Sequence, residues 1–96
     1  MDMEFTEAAF GDLRSMRARN RAENQEEQYL EEIWAKFEEI QGNPGPWRSR
    51  EDLFPGCQVV PHGKHVILIK VEADILQVVR ILHSAMDFRR HIPKGV

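Results

Sequence analysis

Cys57-Gln58-Val59-Val60-Pro61, His65-Val66-Ile67-Leu68-Ile69-Lys70-Val71 and Ile75-Leu76-Gln77-Val78-Val79-Arg80-Ile81-Leu82 are three β-rich runs in close succession, and they decide the fold. Only His62-Gly63-Lys64 and Glu72-Ala73-Asp74 separate them, which leaves room for tight turns and predicts an antiparallel meander. In the second and third runs both alternating sets are apolar. Ile67, Ile69 and Val71 alternate with Val66 and Leu68, and Leu76, Val78 and Leu82 alternate with Ile75, Val79 and Ile81. A sheet of that kind is normally covered on both faces.

Upstream of these runs the periodicity is helical. Tyr29, Leu30, Ile33, Trp34, Phe37 and Ile40 form one apolar stripe, predicting a helix from about Glu23 to Gln41. Gly42 suits a left-handed residue just past its end, and Asn43-Pro44-Gly45-Pro46 prevents continuation. Phe10, Leu13 and Met16, with Ala9 beside them, predict an earlier helix that Thr6 caps and that stops near Arg19 or Asn20. Met3-Glu4-Phe5 reads as a short strand before it. The short connection between the helices predicts an antiparallel αα-hairpin. Trp47 to Pro55 reads as an ordered loop with Trp47 against the core. His83 to His91 leaves the sheet and forms a short helical turn or tail before Pro93.

The expected fold is therefore α+β, an N-terminal strand and αα-hairpin packed on an antiparallel β-meander in the order β-α-α-β-β-β. One domain over residues 1–96 is expected, because a chain of 96 residues has room for one modest core. A single hairpin covers one sheet face. The other face should expose apolar surface for a partner, unless the C-terminal tail or a second copy covers it.

Composition narrows the function classes. Hydrophobic residues make up 42% and charged residues 30%, as in an ordinary soluble globular protein. Net charge is −3, with the acidic excess before Gly42 and a basic excess after it, and no clustered run of the sort that marks a nucleic-acid binder. No direct sequence-specific DNA binding by the chain alone is expected. Met1-Asp2-Met3-Glu4 is acidic and no continuous apolar stretch follows, so neither a signal peptide nor a membrane span is expected and the cytoplasm is the expected location. Cys57 is the one cysteine, which rules out an intramolecular disulfide and any multi-cysteine metal site. His62 and His65 flank a turn without a nearby third ligand, so no metal and no cofactor are expected.

Phe5-Thr6-Glu7-Ala8-Ala9, Asp12-Leu13 and Glu31-Glu32-Ile33 are followed by Asn43-Pro44, Arg50-Glu51-Asp52-Leu53 with Pro55-Gly56, His65-Val66-Ile67, Val79-Arg80-Ile81-Leu82-His83 and Met86-Asp87. In order and spacing this series resembles the ParE-type toxins of the RelE/ParE superfamily, over nearly the full chain. The resemblance implies the toxin of a type II toxin–antitoxin module, neutralised by a ParD-like antitoxin whose C-terminal segment covers apolar surface. It also implies DNA gyrase as target, inhibited by binding without chemistry. Other members of the superfamily are ribosome-dependent endoribonucleases, and a third reading is an antitoxin-binding homologue that is not toxic. Departures from the usual pattern bear on the target: Gln58 stands where many relatives carry arginine, and Leu68, Ile69 and Lys70 stand where they often carry an aromatic residue and an arginine.

A ribonuclease would need a base, an acid and cations converging on one surface. The available groups are His62, Lys64, His65, Arg80, His83, Arg89, Arg90 and His91, while Tyr29, the one tyrosine, falls in a helix stripe. No catalytic residue is assigned. Arg50, Arg80, His83, Met86, Asp87, Arg89 and Arg90 are the candidate target-binding residues, with Arg89 and Arg90 the best placed for intermolecular contact. A structural alternative pairs Arg80 with Asp87 and bonds His83 into the same arrangement. Val66, Leu68, Leu76 and Val78 are the candidate antitoxin-binding surface.

Overall fold

The computed structural model describes residues 1–22, 26–43, 45 and 47–96, of which 19–22 and 26–28 by their backbone alone. Strand β1 (Asp2–Phe5) leads into helix α1 (Glu7–Ala22), then helix α2 (Glu26–Gly42), strands β2 (Arg48–Ser49), β3 (Cys57–His62), β4 (His65–Glu72) and β5 (Ile75–His83), and a 3-10 turn at Phe88–His91. The sheet order is β1-β5-β4-β3-β2. The three decisive runs form the expected antiparallel meander, and β1 joins its far edge parallel to β5, with Phe5 opposite Val78. The architecture is thus α+β, and the sheet is mixed.

Local chemistry sets the helix ends. Thr6 caps α1 as its pattern predicts, its Oγ1 accepting from the Ala9 amide at 3.0 Å. That hydroxyl also donates to the Val79 carbonyl at 2.6 Å, which fastens the helix start to β5. Helix α1 continues to Ala22, past the expected stop, since Arg21 and Ala22 favour helix and nothing there breaks it. The expected start of α2 at Glu23, the link between the helices, and Pro44 and Pro46 of the breaker motif lie outside the described residues. Gly42 is the last helical residue and has no left-handed φ, contrary to expectation. Instead the Asn43 amide still bonds to the Glu39 and Ile40 carbonyls.

Two apolar clusters flank the sheet. Under the helices lie Ala9, Met16, Ile33, Phe37, Ile40, Val60, Ile67, Ile69, Leu76, Val78 and Ile81, with Trp47 packed against them. On the opposite face Cys57, Val59, Leu68, Val79 and Leu82 are covered by Phe54 and Leu53 of the loop after β2 and by Phe88, Ile92 and Val96 of the tail. The second face is therefore closed by the chain's own loop and tail, and the expectation of an open apolar face is corrected. The loop expected from Trp47 to Pro55 contains the two-residue strand β2, paired with Gln58 and Val59.

A bulge in β5 changes which residues share a face. Leu68 pairs with Arg80 and Ile69 with Val78, which leaves Val79 without an opposite residue. The alternation resets there. Ile81 joins Leu76 and Val78 on the helix side, and Leu82 joins Val79 on the tail side, where unbroken alternation would have put Leu82 with Leu76.

Candidate partner-binding site

The loop before β3 and the chain beyond β5 meet at one end of the sheet. Arg50, Leu53, Ser84, Met86, Asp87, Phe88 and Arg89 line a cavity of about 270 Å³ there. Asp52 organises it. Its carboxylate accepts from Arg50 Nε and Nη2, each at 2.9 Å, and from Arg89 Nη2 at 3.1 Å. The Arg50 and Arg89 guanidinium groups hold the Asp52 carboxyl far below the usual carboxylate range. Asp87 caps the 3-10 turn, accepting from the Arg89 amide at 3.3 Å and approaching Arg90 Nε at 3.4 Å. Met86 and Arg90 are exposed.

Of the residues the sequence nominated for target binding, Arg50, Met86, Asp87 and Arg89 therefore converge on one cavity. Arg90 projects beside it. His83 sits at the end of β5, where its Nδ1 accepts from the Ala85 amide at 3.1 Å and thereby shapes the turn into this end. Arg80 does not belong to the group. It is largely buried, and Asp12 of α1 receives its Nε at 2.9 Å and Nη2 at 2.6 Å, while its Nη1 donates to the His91 carbonyl at 2.8 Å. The Arg80 pKa is raised chiefly by its hydrogen bonds to Asp12. The alternative pairing of Arg80 with Asp87 is thus replaced by Arg80 with Asp12. Strand β1 ends opposite Val78, so the edge of β5 beyond it is open, and α1 brings Asp12 onto that edge.

The four residues nominated as an antitoxin surface do not share a face. Leu76 and Val78 lie under the helices, and Leu68, with Val66 against it, lies under the tail. Leu68, Leu76 and Val78 are fully buried, because the helices cover one apolar face of the sheet and the loop and tail cover the other. Val66 alone keeps partial exposure, so the four form no continuous accessible surface. The accessible apolar surface is elsewhere, in a groove of about 380 Å³ between α1 and α2 lined by Phe10, Leu13, Arg14, Arg17, Leu30, Glu31 and Trp34. Phe10 and Trp34 are 46% and 44% exposed, although both fall in stripes that sequence reading assigns to the core. Phe5 sits below them, its ring 5.3 Å from Phe10 and 5.5 Å from Trp34. The signal in the sequence was position, since each aromatic lies at the margin of its stripe.

A third grouping joins residues that the sequence kept apart. Tyr29 Oη lies 2.6 Å from His65 Nδ1 and 3.3 Å from the His62 carbonyl oxygen, and the His65 and His83 rings meet edge to face at 5.8 Å. Burial raises the Tyr29 pKa, a Lys64 backbone hydrogen bond opposes the rise, and Glu32 adds to it. Gly63 makes the approach possible, for a Cβ there would stand 3.1 Å from the phenol oxygen, and its φ of +56° suits glycine. The cluster pins α2 to the β3–β4 turn. Among the described residues no three His, Cys, Asp or Glu side chains are placed to hold a metal, and no helix is long and apolar enough to cross a membrane.

Residues 3–88 match the family model described as the ParE toxin of the type II toxin–antitoxin system parDE. Among solved structures, a chain of the chromosomal ParDE TA system from P. aeruginosa superimposes with a TM-score of 0.64 at 20% identity, covering 86% of this chain and 95% of that one. That likeness is one of fold. No curated protein sequence matches the chain significantly.

Proposed function

The chain belongs to the ParE toxin family of type II toxin–antitoxin systems, and from that premise we propose that it arrests growth in the cytoplasm by binding DNA gyrase until a ParD-like antitoxin neutralises it. The family match over residues 3–88 carries this reading. Two features of the molecule support it. Arg50 and Arg89 are held by one carboxylate beside Met86 and the exposed Arg90, and such a fixed basic and apolar end suits recognition of an acidic protein surface. The groove between α1 and α2 offers an antitoxin segment an apolar seat over Phe10, Leu30 and Trp34.

The alternative of a ribosome-dependent ribonuclease draws no support from Tyr29, His65 or His83. Tyr29 and His65 direct their polar atoms at each other beneath α2, and His83 Nδ1 is occupied by the Ala85 amide. The deciding measurement is supercoiling by purified gyrase in the presence of the purified chain. Inhibition relieved by the antitoxin is expected. Normal supercoiling, together with mRNA cleavage in translating ribosomes, would sink the proposal.

A further inference from the structure

Asp52 sits on a turn that the backbone closes by itself. The Leu53 amide donates to the Arg50 carbonyl at 3.0 Å, and the Arg50 amide donates to the Cys57 carbonyl at 2.9 Å, so the loop fixes where the Asp52 side chain starts. From there its carboxylate serves two arginines unequally. Arg50 takes both oxygens, Nε on Oδ1 and Nη2 on Oδ2, in the two-pronged geometry of a complete ion pair. Arg89, which comes from the tail, gives only Nη2 to Oδ2.

The neighbouring carboxylates are engaged elsewhere. Asp87 meets Arg89 through the main-chain amide and turns its other oxygen to Arg90, and Glu51 accepts from the Gly56 amide at 2.9 Å. Arg50 therefore takes up most of the Asp52 charge, and Arg89 is tethered without being neutralised. The Arg89 side chain stays 69% exposed, and among the described residues no other group bonds its guanidinium, which leaves its remaining N–H donors for a partner.

We propose, on the reading that this cavity meets gyrase, that Asp52 is a positioning residue that presents the Arg89 guanidinium to a carboxylate of the partner, with Arg50 keeping it from cancelling the Arg89 charge. An arginine ordered before binding spares the complex the entropy of ordering it. The direction of the effect is diagnostic. Removing the negative Asp52 makes this region more basic, and attraction alone would then tighten binding to an acidic surface. Loss of positioning weakens it.

Asp52→Asn removes the charge and keeps the shape. In the chain alone, NMR relaxation of the Arg89 Nε–H group should show a more mobile guanidinium. Titrated against intact gyrase at physiological salt, the variant should bind about three- to tenfold more weakly than the native chain, through faster dissociation. In an Arg89→Ala background the same substitution should weaken binding no further, whereas damage to the loop would weaken it in both backgrounds. Binding as tight as the native chain's or tighter, unchanged Arg89 mobility, or an equal loss with and without Arg89 would overturn the positioning role and leave gyrase binding standing. A native chain that does not bind gyrase would overturn the gyrase reading itself, and the role of Asp52 with it.

Discussion

Asp12 and Arg80, 68 positions apart in the chain, form a two-pronged ion pair at 2.9 and 2.6 Å, and the same carboxylate accepts from the Ile81 amide at 2.9 Å. One side chain of α1 thus closes the open edge of β5, and through Arg80 the His91 carbonyl ties the tail to the same point. Asp12→Ala leaves a guanidinium and a backbone amide without their acceptor in a poorly hydrated place. A loss of about 2–4 kcal/mol in urea denaturation is expected. The charge-swapped pair Asp12→Arg/Arg80→Asp should recover little of it, because the Ile81 amide would then meet a donor. Arg80→Ala should also speed cleavage of the tail in limited proteolysis.

Gly63 and Tyr29 should be coupled in stability. Gly63→Ala places a Cβ against the phenol ring and requires an alanine at φ +56°, so a loss of about 1–2 kcal/mol is expected. Tyr29→Phe removes the hydrogen bond to His65 and should cost about 1 kcal/mol. Thermal denaturation of the two single variants and the double variant checks this. Additive losses would show that the contact at Gly63 does not matter.

Alkaline pH should reveal the buried phenol. The Tyr29 pKa in the folded chain lies above its ordinary value of about 10, so the folded state holds the proton more tightly than the unfolded one. Its contribution to stability is complete below about pH 10 and is lost as pH rises through the higher folded value. The phenolate absorbance of the folded chain should therefore appear at higher pH than that of the chain in urea. Coincident midpoints would contradict the burial.

Cys57 should behave as a core side chain. It is fully buried on the tail side of the sheet, and burial pushes its thiol up to about 11. A thiol reagent at mildly alkaline pH should label it only as fast as the chain opens, and immediately in denaturant. Labelling of the folded chain at the rate of a free thiol would mean that the tail does not cover this face.

The proposed gyrase and antitoxin sites should be separable. Arg89→Ala/Arg90→Ala should weaken growth arrest and gyrase inhibition by about tenfold or more and leave antitoxin binding unchanged. Trp34→Ala should weaken antitoxin binding and leave gyrase inhibition intact. Titrating each variant against both partners checks the division, and equal losses for both partners would refute it.

Local sequence pattern was enough to fix the elements and their order. Alternation at Cys57 to Leu82, the stripe at Tyr29 to Ile40 and the cap at Thr6 are local patterns, set by backbone geometry within a few residues. It also nominated Arg50, Met86, Asp87 and Arg89, which converge on one cavity because they lie on the two segments that meet at that end of the sheet. The rest depends on long-range packing. The bulge at Val79 reverses the faces of Ile81 and Leu82, and no local pattern announces it because both neighbours are apolar. The tail closes the sheet face that the apolar alternation leaves uncovered, since Phe88, Ile92 and Val96 find it only after the sheet exists. Asp12 reaches Arg80, and Tyr29 reaches His65, across separations for which residue type carries no signal. Phe10 and Trp34 remain exposed because two helices of this width leave a groove along their outer seam, which depends on how the hairpin sits on the sheet.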